Sequence, residues 1–219
     1  MFSPMDFSDI LKQGAAGELA LGDAQRLIAS AGEQDLGFAR VDLARGDRCG
    51  LSEVVFGQGK TPEQIAGIVG ALLKAGQNAF VTRAIPEAFE AVRRAFPDAV
   101  YHEAARIIAL RRDEPPDPAG QVAVVCAGTS DIPVAEEAAI TAEWMGAKVE
   151  RVFDVGVAGL HRLMRRLDVL RESRALVVAA GMEGALPSVV GGLVDRPMVA
   201  VPTSIGYGMN LNGLSALLA

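Results

Sequence analysis

Three short polar clusters carry most of the chemistry this chain could perform. Gly128-Thr129-Ser130-Asp131 follows the apolar run Val122-Ala123-Val124-Val125-Cys126-Ala127 and precedes a helical pattern opening at Ile132-Pro133. A buried strand that turns tightly into a helix N-terminus is an anion site: Gly128 lets backbone approach a ligand, Thr129 and Ser130 supply hydroxyls, and the unpaired amides of the first helical turn suit a phosphate. The competing explanation is that Ser130 or Asp131 is only an N-cap. Asp154-Val155-Gly156 forms a second cluster, and Gly181-Met182-Glu183-Gly184, running on through Ala185-Leu186-Pro187-Ser188, a third. Glu183 sits inside a glycine turn where a strand end usually carries a small linker residue; a solvated loop charge competes with a functional one. Asp131, Asp154 and Glu183 have no close cationic neighbour in sequence. Carboxylates in a partly desolvated cleft acquire raised pKa values and serve as proton carriers or Mg2+ ligands. The candidate catalytic residues are Glu183 and Asp131. The candidate binding residues are Gly128, Thr129, Ser130, Asp131, Asp154, Gly156, Gly181, Met182, Gly184, Pro187 and Ser188, with no metal ligand assigned.

These clusters need a scaffold, and the flanking patterns supply one. Strands are expected at Val122 to Ala127, Lys148 to Phe153, Ala175 to Ala180 and Pro197 to Pro202. Helices are expected at Pro133 to Met145, Val157 to Leu170 (burying Leu160, Leu163, Met164 and Leu167) and, as a short one, up to Leu193. Continuous apolar strands alternating with helices predict a parallel, doubly wound sheet in a three-layer αβα sandwich. Ligands of such sheets sit beyond the carboxyl ends of the strands, where the loops Gly128 to Asp131, Asp154 to Gly156, Gly181 to Ser188 and Thr203 to Gly208 all fall. His161-Arg162 lies inside the second helix, where a solvated face, a subunit contact and a ligand role all remain open.

A smaller α/β domain is expected before these elements. Short helices read at Asp6 to Gln13 and Gly22 to Ala31, a strand at Leu36 to Asp42, and a polar segment at Arg45 to Gly50. A strand follows at Glu53 to Gly57, then a helix from Pro62 to Lys74 capped by Thr61, a strand at Ala79 to Arg83, a helix from Pro86 to Phe96, and one or two strands between Ala99 and Leu110. Gly57-Gln58-Gly59-Lys60-Thr61 resembles a phosphate loop but has Val54 where the first glycine belongs. His102 beside Glu103 reads as a surface or strand-edge residue, with no second His nearby. Arg111 to Gly120 holds three prolines and cannot sustain helix or sheet. The expected domains are 1–112, a linker at 113–120, and 121–219.

Composition narrows the partners. Among 219 residues, half are hydrophobic, yet no apolar run approaches the roughly 20 residues of a membrane span. Met1 to Asp6 lacks the basic start of a secretory signal, and Cys49 and Cys126 lie far apart without metal spacing, so a reducing, cytoplasmic setting is expected. Cys126, at a buried strand end, reads as a small hydrophobe. A formal charge of −6 and 5% aromatic residues argue against nucleic acid as a partner.

The half from Val122 onward resembles the aminoimidazole ribonucleotide carboxylase family, through its strand followed by Gly128-Thr129-Ser130-Asp131, its glycine-rich loop with Leu186-Pro187, and Val199-Ala200-Val201-Pro202. It departs from that family at two places: Asp154-Val155-Gly156-Val157-Ala158-Gly159 replaces a Ser-Ala-His-Arg loop, and the histidine before Leu-Pro is missing. The whole chain resembles the LarB family, through Arg48-Cys49-Gly50, Glu53-Val54-Val55-Phe56-Gly57, Gly59-Lys60-Thr61-Pro62-Glu63, Gly128 to Asp131 and Gly181 to Ser188.

This second resemblance implies carboxylation of nicotinic acid adenine dinucleotide at C5 of its pyridinium ring with CO2, and phosphoanhydride cleavage releasing AMP, as the first step of nickel-pincer nucleotide synthesis. A thiolate adds at C6, the resulting enamine attacks CO2 through C5, a base removes the C5 proton, and the thiolate leaves. The implied base is Glu183; Asp131 and Asp154 would bind ribose, phosphate or Mg2+, and Thr129 and Ser130 would cradle phosphate. Mg2+ and a homo-oligomer are implied, and no redox cofactor. The family's ring-adding cysteine lies in an Asn-Ser-Cys segment that would follow Ala219. The chain is therefore expected to stop short of it, and to bind nucleotide without completing the reaction. The alternatives are an aminoimidazole ribonucleotide carboxylase or mutase, and a non-catalytic nucleotide-binding module.

Overall fold

A computed structural model describes residues 7–24, 32–113, 117–118 and 120–219. Met1 to Asp6 and most of the expected second helix, at 25–31, lie outside them, as do 114–116 and 119 of the expected linker. Contacts divide the chain into two compact units, Met1–Val100 with Ile108–Asp113, and Tyr101–Ile107 with Glu114–Ala219.

Along the chain, α1 (Phe7–Ala15), β1 (Glu33–Asp35), β2 (Arg40–Asp42) and α2 (Arg45–Cys49) come first. Then come β3 (Val54–Phe56), α3 (Pro62–Lys74), β4 (Ala79–Thr82), α4 (Pro86–Ala95), β5 (Val100–His102) and β6 (Ile107–Leu110). The strand expected from Leu36 to Asp42 is instead the second arm of a hairpin. Gly37 has φ +81° and donates its N–H to Asp35 Oδ1 at 2.7 Å, so the chain turns there and β1 pairs antiparallel with β2. The polar segment after it coils into the single-turn helix α2, ended by a left-handed Gly50. α3 begins at a full capping box: the Thr61 hydroxyl accepts from Gln64 N–H while the Gln64 side chain accepts from Thr61 N–H. Its buried stripe includes Ile65, Ile68, Val69 and Leu72. Lys60 Nζ donates to Phe56 O at 2.7 Å, so the lysine of the phosphate-loop look-alike is tied to its own strand end.

The second unit is a parallel sheet of β7 (Gln121–Cys126), β8 (Lys148–Val152), β9 (Ala175–Ala180) and β10 (Met198–Pro202) in the order β10-β9-β7-β8. This is the flavodoxin-like order, with β7 paired to both β8 and β9. Alternate residues of the strands feed two cores. Ala123, Val125, Leu176 and Val178 pack with Leu163, Leu170, Leu186 and Val190, which come from α6 (Leu160–Met164), α7 (Leu167–Glu172) and α8 (Ala185–Gly191). Val124, Cys126 and Ala179 pack with Ala135 and Ala139 of α5 (Ile132–Trp144) on the other face. Helices on both faces of one sheet make the three-layer sandwich. Arg151 on the edge strand β8 fastens that layer by donating to Glu136 and Glu143 of α5 at 3.0 and 2.6 Å.

The helix expected from Val157 to Leu170 is broken. A single tight turn, Val157–Gly159, leads into α6, and a turn in which Arg166 N–H bonds Leu163 O separates α6 from α7. Leu163 and Leu167 are buried as expected, but Leu160 and Met164 are 44% and 45% exposed, so the short α6 buries Leu163 alone of the three.

Candidate active site

The loops after β7, β8 and β9, with Ile205 from the loop after β10, enclose a cavity of about 370 Å3 within the second unit. That volume lies in the range of small-molecule sites. Gly128, Thr129, Ser130, Asp131, Asp154, Gly156, Gly181, Met182 and Glu183 all line it. Gly184, Pro187 and Ser188 do not appear among its lining residues: the loop ends at Gly184, which caps α8, and Pro187 and Ser188 belong to that helix.

In the first loop, Thr129 and Ser130 are exposed at the start of a tight turn, Thr129–Asp131, that runs into α5. Gly128 has an extended backbone, and a Cβ built there would meet nothing nearer than Asp131 Oδ2 at 3.8 Å. Neither conformation nor packing demands glycine at 128; what the missing side chain leaves is room beside the amides. Asp131 is 4% exposed and has both carboxylate oxygens engaged. Oδ2 accepts from Gly128 N–H at 3.0 Å and Oδ1 from the Thr203 hydroxyl at 2.6 Å. Asp131 does not cap α5; it folds the loop back on itself and ties it to the loop after β10.

Asp154 adopts the left-handed region, φ +56°, and accepts from Arg162 Nη1 at 2.8 Å. A carboxylate without a close cation in sequence thus has one in space, eight residues on, after a turn and the start of α6. Backbone bonds from Val155 N–H to Cys126 O and from Gly156 N–H to Ala127 O zip this loop to the end of β7.

The third loop is the most constrained. Met182, a non-glycine residue, has φ +52°, and Gly184 has φ +71°, so Glu183 is presented between two left-handed residues. Met182 N–H bonds Ile205 O at 2.7 Å, while buried Asn210 donates to Met182 O and Ile205 O and accepts from Gly213 N–H. A Cβ on Gly181 would fall 2.0 Å from Ile205 O, so the two loops touch backbone to backbone. Glu183 itself is exposed at the cavity. Asn210 and Thr203, which hold this arrangement, were not legible as site residues; a polar residue in a glycine-rich loop was the only local signal.

Cys126 is fully buried beneath the first loop, and its thiol lies 3.5 Å from Gly128 O. Burial pushes the thiol up to about 11, with the nearby carboxylates Asp131 and Asp154 acting in the same direction. It is a packed thiol. Cys49 is exposed in the first unit. Among the described residues no group of three or more His, Cys, Asp or Glu side chains is placed to hold a metal ion. Among the described residues no helix is long and apolar enough to cross a membrane.

Residues 33–112 match the family model described as LarB/PurE-like N-terminal domain, and residues 121–219 match the one described as AIR carboxylase. The chain belongs to the LarB family. An uncharacterized protein of Methanocaldococcus jannaschii is 36% identical over 187 residues, which are 82% of this chain and 73% of that protein. A second relative, the N5-carboxyaminoimidazole ribonucleotide mutase of the same organism, is 31% identical over 101 residues, 45% of this chain and 59% of that protein. Both domain types of the LarB family are thus present in order, and the cavity lies wholly in the part that matches AIR carboxylase, which supports a carboxylase-type role.

Proposed function

We propose that this LarB-family chain binds nicotinic acid adenine dinucleotide in the cavity and serves the carboxylation of its pyridinium ring at C5, with release of AMP. What carries the reading is one juxtaposition: a phosphate-type loop, Gly128 to Ser130, and a carboxylate, Glu183, held on a left-handed turn, line the same cavity. The loop amides and hydroxyls receive the phosphoanhydride. Glu183 accepts the C5 proton after the carbon–carbon bond to CO2 has formed, at an exposed position where a carboxylate can pass that proton on to water. Apolar lining from Ala127, Val157, Ala180 and Leu186 suits the ring and CO2. When bound, Mg2+ would offset phosphate charge. Cys126, fully buried with its thiol pushed up to about 11, does not fit the ring-adding thiolate.

The test is mass spectrometry of the protein carrying the family's Asn-Ser-Cys segment after Ala219, incubated with nicotinic acid adenine dinucleotide, Mg2+ and bicarbonate. Release of AMP with a mononucleotide heavier by one carboxylate is expected.

A second reading has its own support in the 31% identity to the N5-carboxyaminoimidazole ribonucleotide mutase. It calls for an imidazole at the site, and no histidine lines the cavity among the described residues. Conversion of aminoimidazole ribonucleotide, with the dinucleotide untouched, would establish it. Binding of nucleotide without consumption of either substrate would favour a binding module.

A further inference from the structure

A second cavity, of about 220 Å3, shares Met182 and Glu183 with the larger one and is completed by Tyr207, Met209, Asn210 and Ser215. It falls below the ~300 Å3 at which drug-sized sites begin and is on the scale of a single aromatic ring. Glu183 borders both spaces, so a ring held against its carboxylate can lie across the boundary between them.

The polar groups of the second wall sort into two kinds. Those of Asn210 and Ser215 are spent on backbone: Asn210 donates to Met182 O and Ile205 O at 3.2 and 3.3 Å and accepts from Gly213 N–H at 2.9 Å, and the Ser215 hydroxyl donates to Met209 O at 2.6 Å. What is left to a ligand is the Glu183 carboxylate, the Tyr207 side chain and the thioethers of Met182 and Met209. No Lys, Arg or His stands among the described residues of this wall. Such a wall repels an anion and has a place for a flat cation.

Tyr207 and Met209 are 81% and 79% exposed, so both side chains have surface that a ligand can cover. Their loop is nonetheless fixed. Gly206 is pressed against buried Asn210, where a Cβ would come within 2.6 Å of Nδ2 and 2.9 Å of Cβ. Tyr207 therefore stands on a braced backbone, and a group whose backbone is already ordered gives up less freedom on binding.

We propose that the smaller cavity takes the cationic pyridinium ring of the dinucleotide, with Tyr207 as its cation–π platform and Met209 beside it. The proposal rests on the dinucleotide reading above and names the residues by which this chain tells a pyridinium from a neutral ring. A ring carrying a quaternary nitrogen is attracted to the face of a tyrosine, and a thioether adds contact at its edge. Glu183, being exposed, adds little to affinity, but it faces C5; the carboxylate at C3 is meta to C5 and points away from it. When the thiolate's electron pair forms the carbon–sulfur bond, the ring nitrogen becomes neutral. The attraction to Tyr207 thus belongs to the bound substrate and not to the adduct, and its loss acts on KM rather than on kcat.

Isothermal titration compares N-methylnicotinate with 3-methylbenzoate, which has the same shape and carboxylate but an uncharged ring. The proteins are the 219-residue chain and its Tyr207→Phe, Tyr207→Leu and Met209→Ala variants. The parent is expected to bind the cation about fivefold or more tightly than the neutral ring. Tyr207→Phe keeps most of that preference, Tyr207→Leu abolishes it, and Met209→Ala weakens both probes roughly twofold. Melting temperatures should stay near the parent's, since these side chains are exposed. Equal affinity for the two probes, binding of neither, or a preference unchanged in Tyr207→Leu overturns the platform. The dinucleotide reading is judged separately, by AMP release from the cysteine-bearing protein, where Tyr207→Leu is expected to raise KM severalfold without lowering kcat; a lower kcat at unchanged KM also overturns the platform. Tyr207-dependent preference for the cation, together with a dinucleotide left unchanged, upholds the ring site and sinks the dinucleotide reading.

Discussion

The hydroxyl of Thr203 donates to the carboxylate of Asp131 at 2.6 Å, both residues buried, joining loops 72 positions apart in sequence. Through this bond the loop after β10 braces the one that begins α5. A buried carboxylate that loses one donor keeps its full desolvation cost, so Thr203→Val should destabilise the protein by about 2 kcal/mol. Urea unfolding followed by circular dichroism measures it, and an unchanged midpoint would show that the bond carries no net stability.

Glycines 128 and 181 should part company on substitution. A methyl at 128 meets open space in an ordinary backbone conformation, so Gly128→Ala should leave stability within about 0.5 kcal/mol while weakening nucleotide binding tenfold or more. A methyl at 181 drives into Ile205 O, and Gly181→Ala should cost about 3 kcal/mol or more and shift the Glu183 turn. Paired thermal melts and AMP titrations would read both.

Replacing Glu183 by Gln removes the base but keeps the shape. Glu183 is exposed, so the melting temperature should hold, dinucleotide affinity should change little, and the turnover number of the cysteine-bearing protein should fall by a factor of about 100 to 10,000. Retained turnover would remove Glu183 from the mechanism.

Alkaline pH should expose the buried thiol. The Cys126 pKa is raised to about 11 in the folded chain from 9.0, so the neutral thiol is favoured by folding and ionisation favours unfolding. Its contribution is fully present below pH 9 and is lost as pH rises toward 11, by at most about 3 kcal/mol. Urea midpoints of the parent and Cys126→Ala, compared across pH 8 to 11, should converge as pH rises. At pH 8, Ellman's reagent should react quickly with Cys49 alone and with Cys126 only on unfolding.

The four strands of the parallel sheet, the helix from Pro62 to Lys74 with its Thr61 cap, and the loops at the strand ends could all be read from the chain. Each rests on a local cause: apolar runs of Val and Ala for the central β7 and β9, the alternation of strand and helix for β8 and β10, a hydroxyl before a proline, a cluster of glycines. The parallel order itself follows from alternation of strand and helix. Other features had no local cause to read. Leu160 and Met164 keep helical spacing with Leu163 and Leu167 yet are exposed, because the expected single helix is broken into α6 and α7 and only Leu163 of α6 is buried. Left-handed Met182 and Asp154 are tolerated only because Ile205, Asn210 and Arg162 hold them, and those partners come from elsewhere in the chain. Sequence by itself determined which strand-end loops could bear chemistry. Tertiary structure decided that Asp131 and Asp154, two of the three carboxylates lining the cavity, are spent on the fold, since a hydrogen bond between residues 72 apart leaves no trace in either one's neighbours.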